Sequence, residues 1–392
     1  MRFVRINLFI GYCTYWRGRI STMRGRAHYT VLAVVTIFVM VGPLLSGQIT
    51  AEARVAKPSA YNLYFGDLHA HTGYSDAYVD STPWDAYKAA ITGGADFMAL
   101  TDHAAIWHGY EAWILDQAEW EDTLAAADYY TSKNFVAMAG YEAWLLANLG
   151  EINVYNIQKL PDTGPQGAQF DRLENFYDWL ASQPGAIGQF NHPLYVSDNF
   201  QDYAYYTKTR DIGMNILEVY NDEYTEDSYI MALDAGWHVM PSANSDTHYP
   251  DWISGHEMRT VLLAESLTPA NLYAAMSASR GYGTLDKNLE ISFKVNGAVM
   301  GSTMSAPGST CMATIHVEDP DRVASDRITL LEIVSDGGVV VASMPAHSTT
   351  VDWTVSLDTL GASYFYLRVT TASALSGGEG VTAWTAPVWT GL

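Results

Sequence analysis

From Tyr61 to about Thr284, short β-branched and aromatic runs alternate with stretches whose apolar residues recur every three or four positions. The runs predict strands at 62–68, 96–100, 135–139, 152–155, 186–190, 216–220, 238–241 and 259–263. Helix starts are marked by Thr82-Pro83 before 84–91 and by Thr268-Pro269 before 270–279, an N-cap hydroxyl followed by an N1 proline; Gly93-Gly94 closes the first. Strands alternating with helices point to βα units, and about eight strands in about 225 residues is the size of one barrel. The expected fold class is therefore α/β, a distorted TIM-like (β/α) barrel over 54–285. After Asp286 the helical period disappears. Alternating runs at 289–295, 311–317, 328–334, 339–343, 350–356 and 364–370, with turns at Asn296-Gly297 and Asp336-Gly337-Gly338, predict a small antiparallel β-sandwich over 286–392.

The first residues follow another pattern. Arg24 and Arg26 precede an uncharged apolar run, 30–45, and Ala51-Glu52-Ala53 supplies small residues for cleavage. This predicts a Sec signal peptide over 1–53 with Met23 as the true start, and hence an exported protein, periplasmic or extracellular. The run is shorter than the roughly 20 residues of a spanning helix, and Gly42-Pro43 interrupts it. An uncleaved N-terminal membrane anchor is the alternative; after cleavage no stable membrane association is expected.

Charge narrows the partners. There are 43 acidic and 21 basic residues, a net charge of −22, and removal of 1–53 would take it to about −27. No nucleic acid partner is expected, since phosphate neutralisation needs clustered Lys and Arg. At 48 % hydrophobic and 16 % charged residues the chain has ample material for a packed core. Cys13 and Cys311 cannot form a disulfide framework or a thiolate site, so any metal must be held by His, Asp and Glu.

Such residues gather where the predicted strands end. His69 and His71 are two apart in Gly66-Asp67-Leu68-His69-Ala70-His71-Thr72, so the strand period puts both on one face, and Tyr74-Ser75-Asp76 follows. Later strand ends carry Thr101-Asp102-His103, Gly140-Tyr141-Glu142, Gly150-Glu151-Ile152-Asn153, Asn191-His192-Pro193 and Ser245-Asp246-Thr247-His248. Each motif alone is what turns and helix caps contain. Together they would bury a costly set of polar groups unless metal satisfied them, and C-terminal strand ends are where barrel enzymes assemble their sites. Imidazoles and carboxylates suit Zn, Mn or Fe, and there are more ligands here than one ion uses. His238, His256, His316 and His347 lack this context and read as core or solvated histidines; His108 reads as a site-rim residue.

In this order the motifs resemble those of the polymerase and histidinol phosphatase (PHP) superfamily, most closely its exported carbaryl-hydrolase-like metallohydrolases. Arg280-Gly281-Tyr282-Gly283-Thr284 and the tail Ala383-Trp384-Thr385-Ala386-Pro387-Val388-Trp389 are similar to that subgroup too. The resemblance implies two to three divalent ions. His69, His71, Glu142 and Asp246 would hold one; Glu142 would bridge to a second, completed by His192; Asp76, His103 and His248 would hold the third. One position departs: the superfamily usually has His where this chain has Glu151. A carboxylate there is harder and more negative, so the second site is expected to favour Mn or Fe over Zn, or to be partly filled.

The expected chemistry is hydrolysis of a small-molecule ester by a metal-bridging hydroxide, which needs no side-chain nucleophile. A phosphoesterase is the leading expectation. Carboxyl ester, carbamate or amide hydrolysis by the same cluster is the alternative, and a non-catalytic metal-dependent binding protein the alternative of another class. An amidohydrolase barrel also begins with His-x-His, but would not call for Asp76 or for Thr101-Asp102-His103. Asp67 and His108 are candidates for leaving-group protonation, Arg259 and Arg280 for a phosphate clamp, and Glu218 for support of a ligand. Trp107, Trp113, Trp144, Tyr195 and Tyr224 are candidates for lining an aromatic pocket.

Overall fold

A computed structural model describes residues 61–391 except 79, 105–113, 145–148, 161–171, 194–198, 306–307 and 374–379. The segment 1–53 with Met23, the candidates His108, Trp107, Trp113 and Tyr195, and the Trp144 side chain lie outside the described residues.

Ten strands make up the first two thirds of the described chain: β1 (Asn62–Asp67), β2 (Phe97–Leu100), β3 (Val136–Trp144), β4 (Glu151–Tyr155), β5 (Ile187–Phe190), β6 (Met214–Asn221), β7 (Glu223–Tyr224), β8 (Met240–Ala243), β9 (Arg259–Ala264) and β10 (Gly281–Thr284). Helices α1 (Pro83–Thr92), α2 (Gln117–Tyr130), α3 (Leu173–Ser182), α6 (Glu226–Asp234) and α7 (Pro269–Ser277) alternate with them, together with the one-turn elements α4 (Asn199–Asp202) and α5 (Lys208–Asp211). Their starts follow capping chemistry. Asp85 accepts from both the N–H and the hydroxyl of Thr82 ahead of Pro83, and Asp116 and Glu119 satisfy each other's backbone N–H at the start of α2.

The sheet is mixed rather than uniformly parallel. β1–β2–β3 and β5–β6–β8 are parallel, whereas β3–β4–β5 and β1–β9–β10 are antiparallel. The reason lies in the connections. Only residues 145–150 join β3 to β4, and no helix is described between β8 and β9, so in each place the chain turns back. The sheet curls until its ends approach. Ala70 and Thr247 form a parallel bridge beyond β1 and β8, Thr260 Oγ1 exchanges hydrogen bonds with the Ala243 backbone, and Gly283 packs on Ser242 and Ala243. Among the described residues no ladder joins β8 to β9 or β10, so the pairing differs from that of a regular TIM barrel. Gly66 is required where it stands: a Cβ there would lie 2.2 Å from the Phe97 carbonyl oxygen.

The β-rich remainder has two antiparallel sheets. β11 (Glu290–Val295), β12 (Ala298–Val299), β13 (Thr310–Glu318) and β16 (Thr350–Asp358) form one; β14 (Ile328–Ser335), β15 (Val339–Ser348), β17 (Tyr364–Thr371), β18 (Ala383–Thr385) and β19 (Val388–Trp389) form the other. Alternation of buried and exposed positions along β13 puts Cys311, Ala313, Ile315 and Val317 inward, in one core with Leu331, Ile333 and Leu367 of the facing sheet. β18 pairs with β10, so the second of these sheets continues the large curled one. No helix among the described residues is long and apolar enough to cross a membrane.

Candidate metal centre

Strand direction places all nine predicted metal-ligating residues at one end of the curled sheet. His69 and His71 follow β1, His103 follows β2, Glu142 is on β3, His192 follows β5, and Asp246 and His248 follow β8. Glu151 begins β4, and because β4 runs antiparallel to β3 its first residue arrives at the same end. Asp76 is brought in by its loop, which Asp102 holds by accepting from Thr72 N, Thr72 Oγ1 and Ser75 Oγ at 2.6, 2.8 and 2.7 Å.

The donor atoms face one another. His69 Nε2 and His71 Nε2 are 3.3 Å apart, Asp246 Oδ1 lies 3.2 and 2.9 Å from them, and Glu142 Oε2 lies 3.4 Å from each. Donors about a tetrahedral ion with bonds of ~2.0–2.1 Å are separated by ~3.4 Å; His69, His71 and Asp246 meet that spacing among themselves and form one group, and Glu142 meets it to both imidazoles. Asp246 Oδ1 is also buried without a hydrogen-bond partner of acceptable geometry. The arrangement continues on both sides. His192 Nε2 is 3.3 Å from Glu142 Oε1 and 3.2 Å from Glu151 Oε2; Asp76 reaches His103 Nε2 at 3.5 Å and His248 Nε2 at 3.2 Å. Four overlapping groups able to hold a metal result: His69/His71/Asp246, His69/Glu142/His192, His103/Glu142/Glu151 and His71/Asp76/His103/His248.

Beneath the donors lies a polar shell centred on Glu218, the support read from sequence, with amides that the strand pattern did not single out. Glu218, buried on β6, accepts from His69 Nδ1 at 2.9 Å, His192 N at 2.8 Å, Asn244 Nδ2 at 2.8 Å and Gln189 Nε2 at 3.3 Å. Asn191 donates to Glu142 Oε1 at 2.6 Å, and Asn221 to Asp246 Oδ2 at 3.1 Å. The available signal was a polar residue inside an otherwise apolar strand, such as Gln189 in Ile187–Phe190. His192 and Asp246 hold φ of 24° and 48°, left-handed backbone that non-glycine residues adopt at a cost of about 1–3 kcal/mol and that recurs at functional sites.

The cluster's charges are interdependent. Burial opposes a charged His71, but the facing Asp246 and Glu142 outweigh it and push it up to about 10. His192 is pushed up to about 9 in the same way by Glu142 and Glu151. Burial likewise opposes ionisation of Glu142, yet His69 and His103 hold it well below the usual range. Glu151 goes the other way: burial and the Glu142 carboxylate push it up to about 7. The cage favours positive charge, which protons supply when metal does not.

A cleft of about 700 Å³ opens above these residues, with Tyr78, Tyr249, Asp222, Glu223 and His256 on its walls. Tyr78 and Tyr249 are exposed and stacked, ring centres 5.0 Å apart. His256, read from sequence as a core or solvated histidine, lines this cleft 3.6 Å from Asp251.

Four other candidates are not brought into the cleft. Asp67 is buried below it, accepting from Ser245 Oγ at 2.6 Å and His69 N at 3.0 Å, and so braces the ends of β1 and β8. The Arg259 guanidinium is spent on the carbonyls of Ile253, His256 and Met258. Arg280 precedes β10, whose start pairs with Leu262 near the far end of β1; it donates to Leu263 O and stacks over Tyr61. Tyr224 packs edge-on against Tyr220 and Trp384. No Lys or Arg is among the described cleft-lining residues.

No family model matches the chain, and no curated protein matches it. Among solved structures it is similar to a two-domain protein of Bacteroides vulgatus described as containing a predicted PHP-like metal-dependent phosphoesterase, at 16 % identity over 84 % of this chain and 96 % of that one, TM-score 0.46. PsfC of Pseudomonas syringae is 15 % identical over 56 % of this chain and 89 % of its own, TM-score 0.39. An amidohydrolase of Chromobacterium violaceum with bound sulfate and no metal is 15 % identical over 47 % and 87 %, TM-score 0.32. Overlap this loose assigns neither fold nor activity.

Proposed function

We propose that this chain is a metal-dependent hydrolase of the PHP type, built on a distorted barrel over 54–285 with a β-sandwich over 286–392, exported by the segment 1–53, and that it cleaves small-molecule phosphoesters. The observation that carries the reading is the set of four overlapping donor groups sharing His69, His71, His103 and Glu142. His69, His71, Glu142 and Asp246 would hold one divalent ion, Glu142, Glu151 and His192 a second, and Asp76, His103 and His248 a third. When bound, such ions lower the pKa of a coordinated water towards neutrality and polarise the oxygens of the scissile group.

The chain's own residues do the remaining work. Glu218 accepts the Nδ1 proton of His69, which fixes the tautomer that presents Nε2 to the cluster. Asn191 and Asn221 orient Glu142 and Asp246. The stacked pair Tyr78–Tyr249 offers an apolar face to an aryl leaving group, and His256, 3.6 Å from Asp251, is the histidine among the described cleft residues that lies outside the donor set and can donate a proton. A second reading has its own observation. The cleft walls carry Asp222 and Glu223, with no Lys or Arg among those described, which suits a neutral carboxyl ester or carbamate.

Turnover of aryl phosphate mono- and diesters against aryl acetates and carbamates, with Zn, Mn or Fe loaded, separates the two. Phosphoester turnover that falls at least ~10³-fold in Asp246→Asn is expected. Turnover of carboxyl esters or carbamates alone would transfer the site to the second reading, and no turnover with any metal would leave a metal-dependent binding protein.

A further inference from the structure

A second group of acidic residues lies away from the cleft, where three parts of the fold meet. Asp286 follows β10, Asp319 follows β13 of the four-stranded sheet, and Asp326 closes the 3-10 turn Ala324–Asp326 before β14 of the large sheet. One carboxylate oxygen from each lies within 4.8 Å of the others. Three carboxylates drawn together repel one another; Arg259 attracts Asp286 through space without an ion pair, and the ion pairs nearby take other carboxylates. Lys287 pairs with Asp321 at 3.6 Å and Arg322 with Glu318 at 2.7 Å; among the described residues no Lys or Arg forms an ion pair with the three.

Crowding alone would not make a site, but buried oxygens here lack donors. Asp319 is fully buried; its Oδ1 accepts from Asp321 N at 2.8 Å, whereas its Oδ2 receives no donor, and its carboxyl lies within hydrogen-bond reach of the Asp286 carboxyl, which can bond to it only by carrying a proton. Asn288, whose N–H donates to Asp286 Oδ1 at 3.0 Å, has its own Oδ1 buried and unpartnered. An ionised carboxylate buried without compensation is costly, and a cation is the compensation that the geometry admits.

We propose that Asp286, Asp319 and Asp326 bind one Ca²⁺, which ties the end of β10 to both β-rich sheets. The donors are all oxygens, with no imidazole or thiolate, so the ion is a hard one. Oxygens at ~2.3–2.6 Å from Ca²⁺ span the observed spread, and Ca²⁺ tolerates irregular ligand sets that Mg²⁺, held to a near-ideal octahedron, does not. Burial and the facing Asp319 and Asp326 carboxylates push Asp286 up to about 6, a repulsion the ion relieves. This site is independent of the proposed hydrolytic centre: its role is to hold the β-rich half to the curled sheet.

The test is calcium chloride titrated into the full-length protein with its first centre already loaded with Zn or Mn, followed by calorimetry and thermal unfolding. One Ca²⁺ per chain is expected, with Kd between about 10⁻⁵ and 10⁻³ M, and at saturation Tm rises by about 3 °C or more. Asp326→Asn, at a half-buried position, weakens Ca²⁺ at least tenfold, while its Tm without Ca²⁺ equals or exceeds that of the parent because one of three repelling charges is gone. Asp76→Asn, in the first centre, keeps the whole Ca²⁺ response. No rise in the parent, an unchanged rise in Asp326→Asn, or a response lost in Asp76→Asn would each overturn the proposal. In the first case the carboxylates share a proton instead.

Discussion

His69 Nδ1 lies 2.9 Å from Glu218 Oε1, and both side chains are buried. Glu218 is held in turn by the backbone of His192 and the amides of Asn244 and Gln189, so one carboxylate fixes the orientation of residues arriving from β1, β5 and β8. Glu218→Gln keeps the shape but removes the charge and turns one of two fully used acceptor oxygens into a donor. Metal affinity is expected to fall about 10–100-fold with the unfolding midpoint of the metal-free protein little changed, checked by competition with a chromophoric chelator. Unchanged affinity would mean that Glu218 does not orient His69.

Proton release should accompany metal loading. His71 at about 10 and His192 at about 9 carry protons at neutral pH in the metal-free protein. A folded-state pKa raised above the unfolded value of roughly 6.5 contributes stability that is full below that pH and lost as pH rises through the folded value. The metal-free protein should therefore lose stability between about pH 6.5 and 10. Metal must displace those protons, so its affinity rises more than tenfold from pH 6.5 to 8.5. Titration calorimetry in buffers of different ionisation enthalpy reads the released protons directly, and none released would contradict the charge state derived for these imidazoles.

Glu151 sets the preference of the second site. Its carboxylate faces His192 at 3.2 Å where a further imidazole would suit Zn better. Protein purified without added metal should hold fewer than two tightly bound Zn per chain, and Glu151→His should raise that number. Two or more Zn in the parent would show that Glu151 imposes no such preference.

Trp237 anchors the packing behind β5. It is fully buried against Tyr177, Phe190 and Tyr206, and its indole N–H donates to Tyr203 O at 3.0 Å. Trp237→Ala should cost about 3–5 kcal/mol by denaturant unfolding, from the cavity and the carbonyl left unpaired. A loss under about 1 kcal/mol would mean that neighbouring rings close the gap.

What could be read from the chain was what is local. His69 and His71 share a face because strands have a period of two, and Thr82-Pro83 opens a helix because capping acts over three residues. Strand direction was not local. The return of β4 brings Glu151 to the donor end, whereas the reversals through β9 and β10 put Arg280 at the opposite one, and nothing within a few residues of either encodes that difference. The same holds for β18, which reaches back to pair with β10, and for His256, whose place in the cleft depends on a long irregular connection after β8.

The account rests on the convergence of nine side chains upon divalent ions, and anomalous diffraction from crystals grown with Mn or Zn tests it most directly. It predicts two or three anomalous peaks, one of them within about 2.3 Å of donor atoms of His69, His71 and Asp246. Crystals soaked in either metal that show no peak among these residues would contradict it.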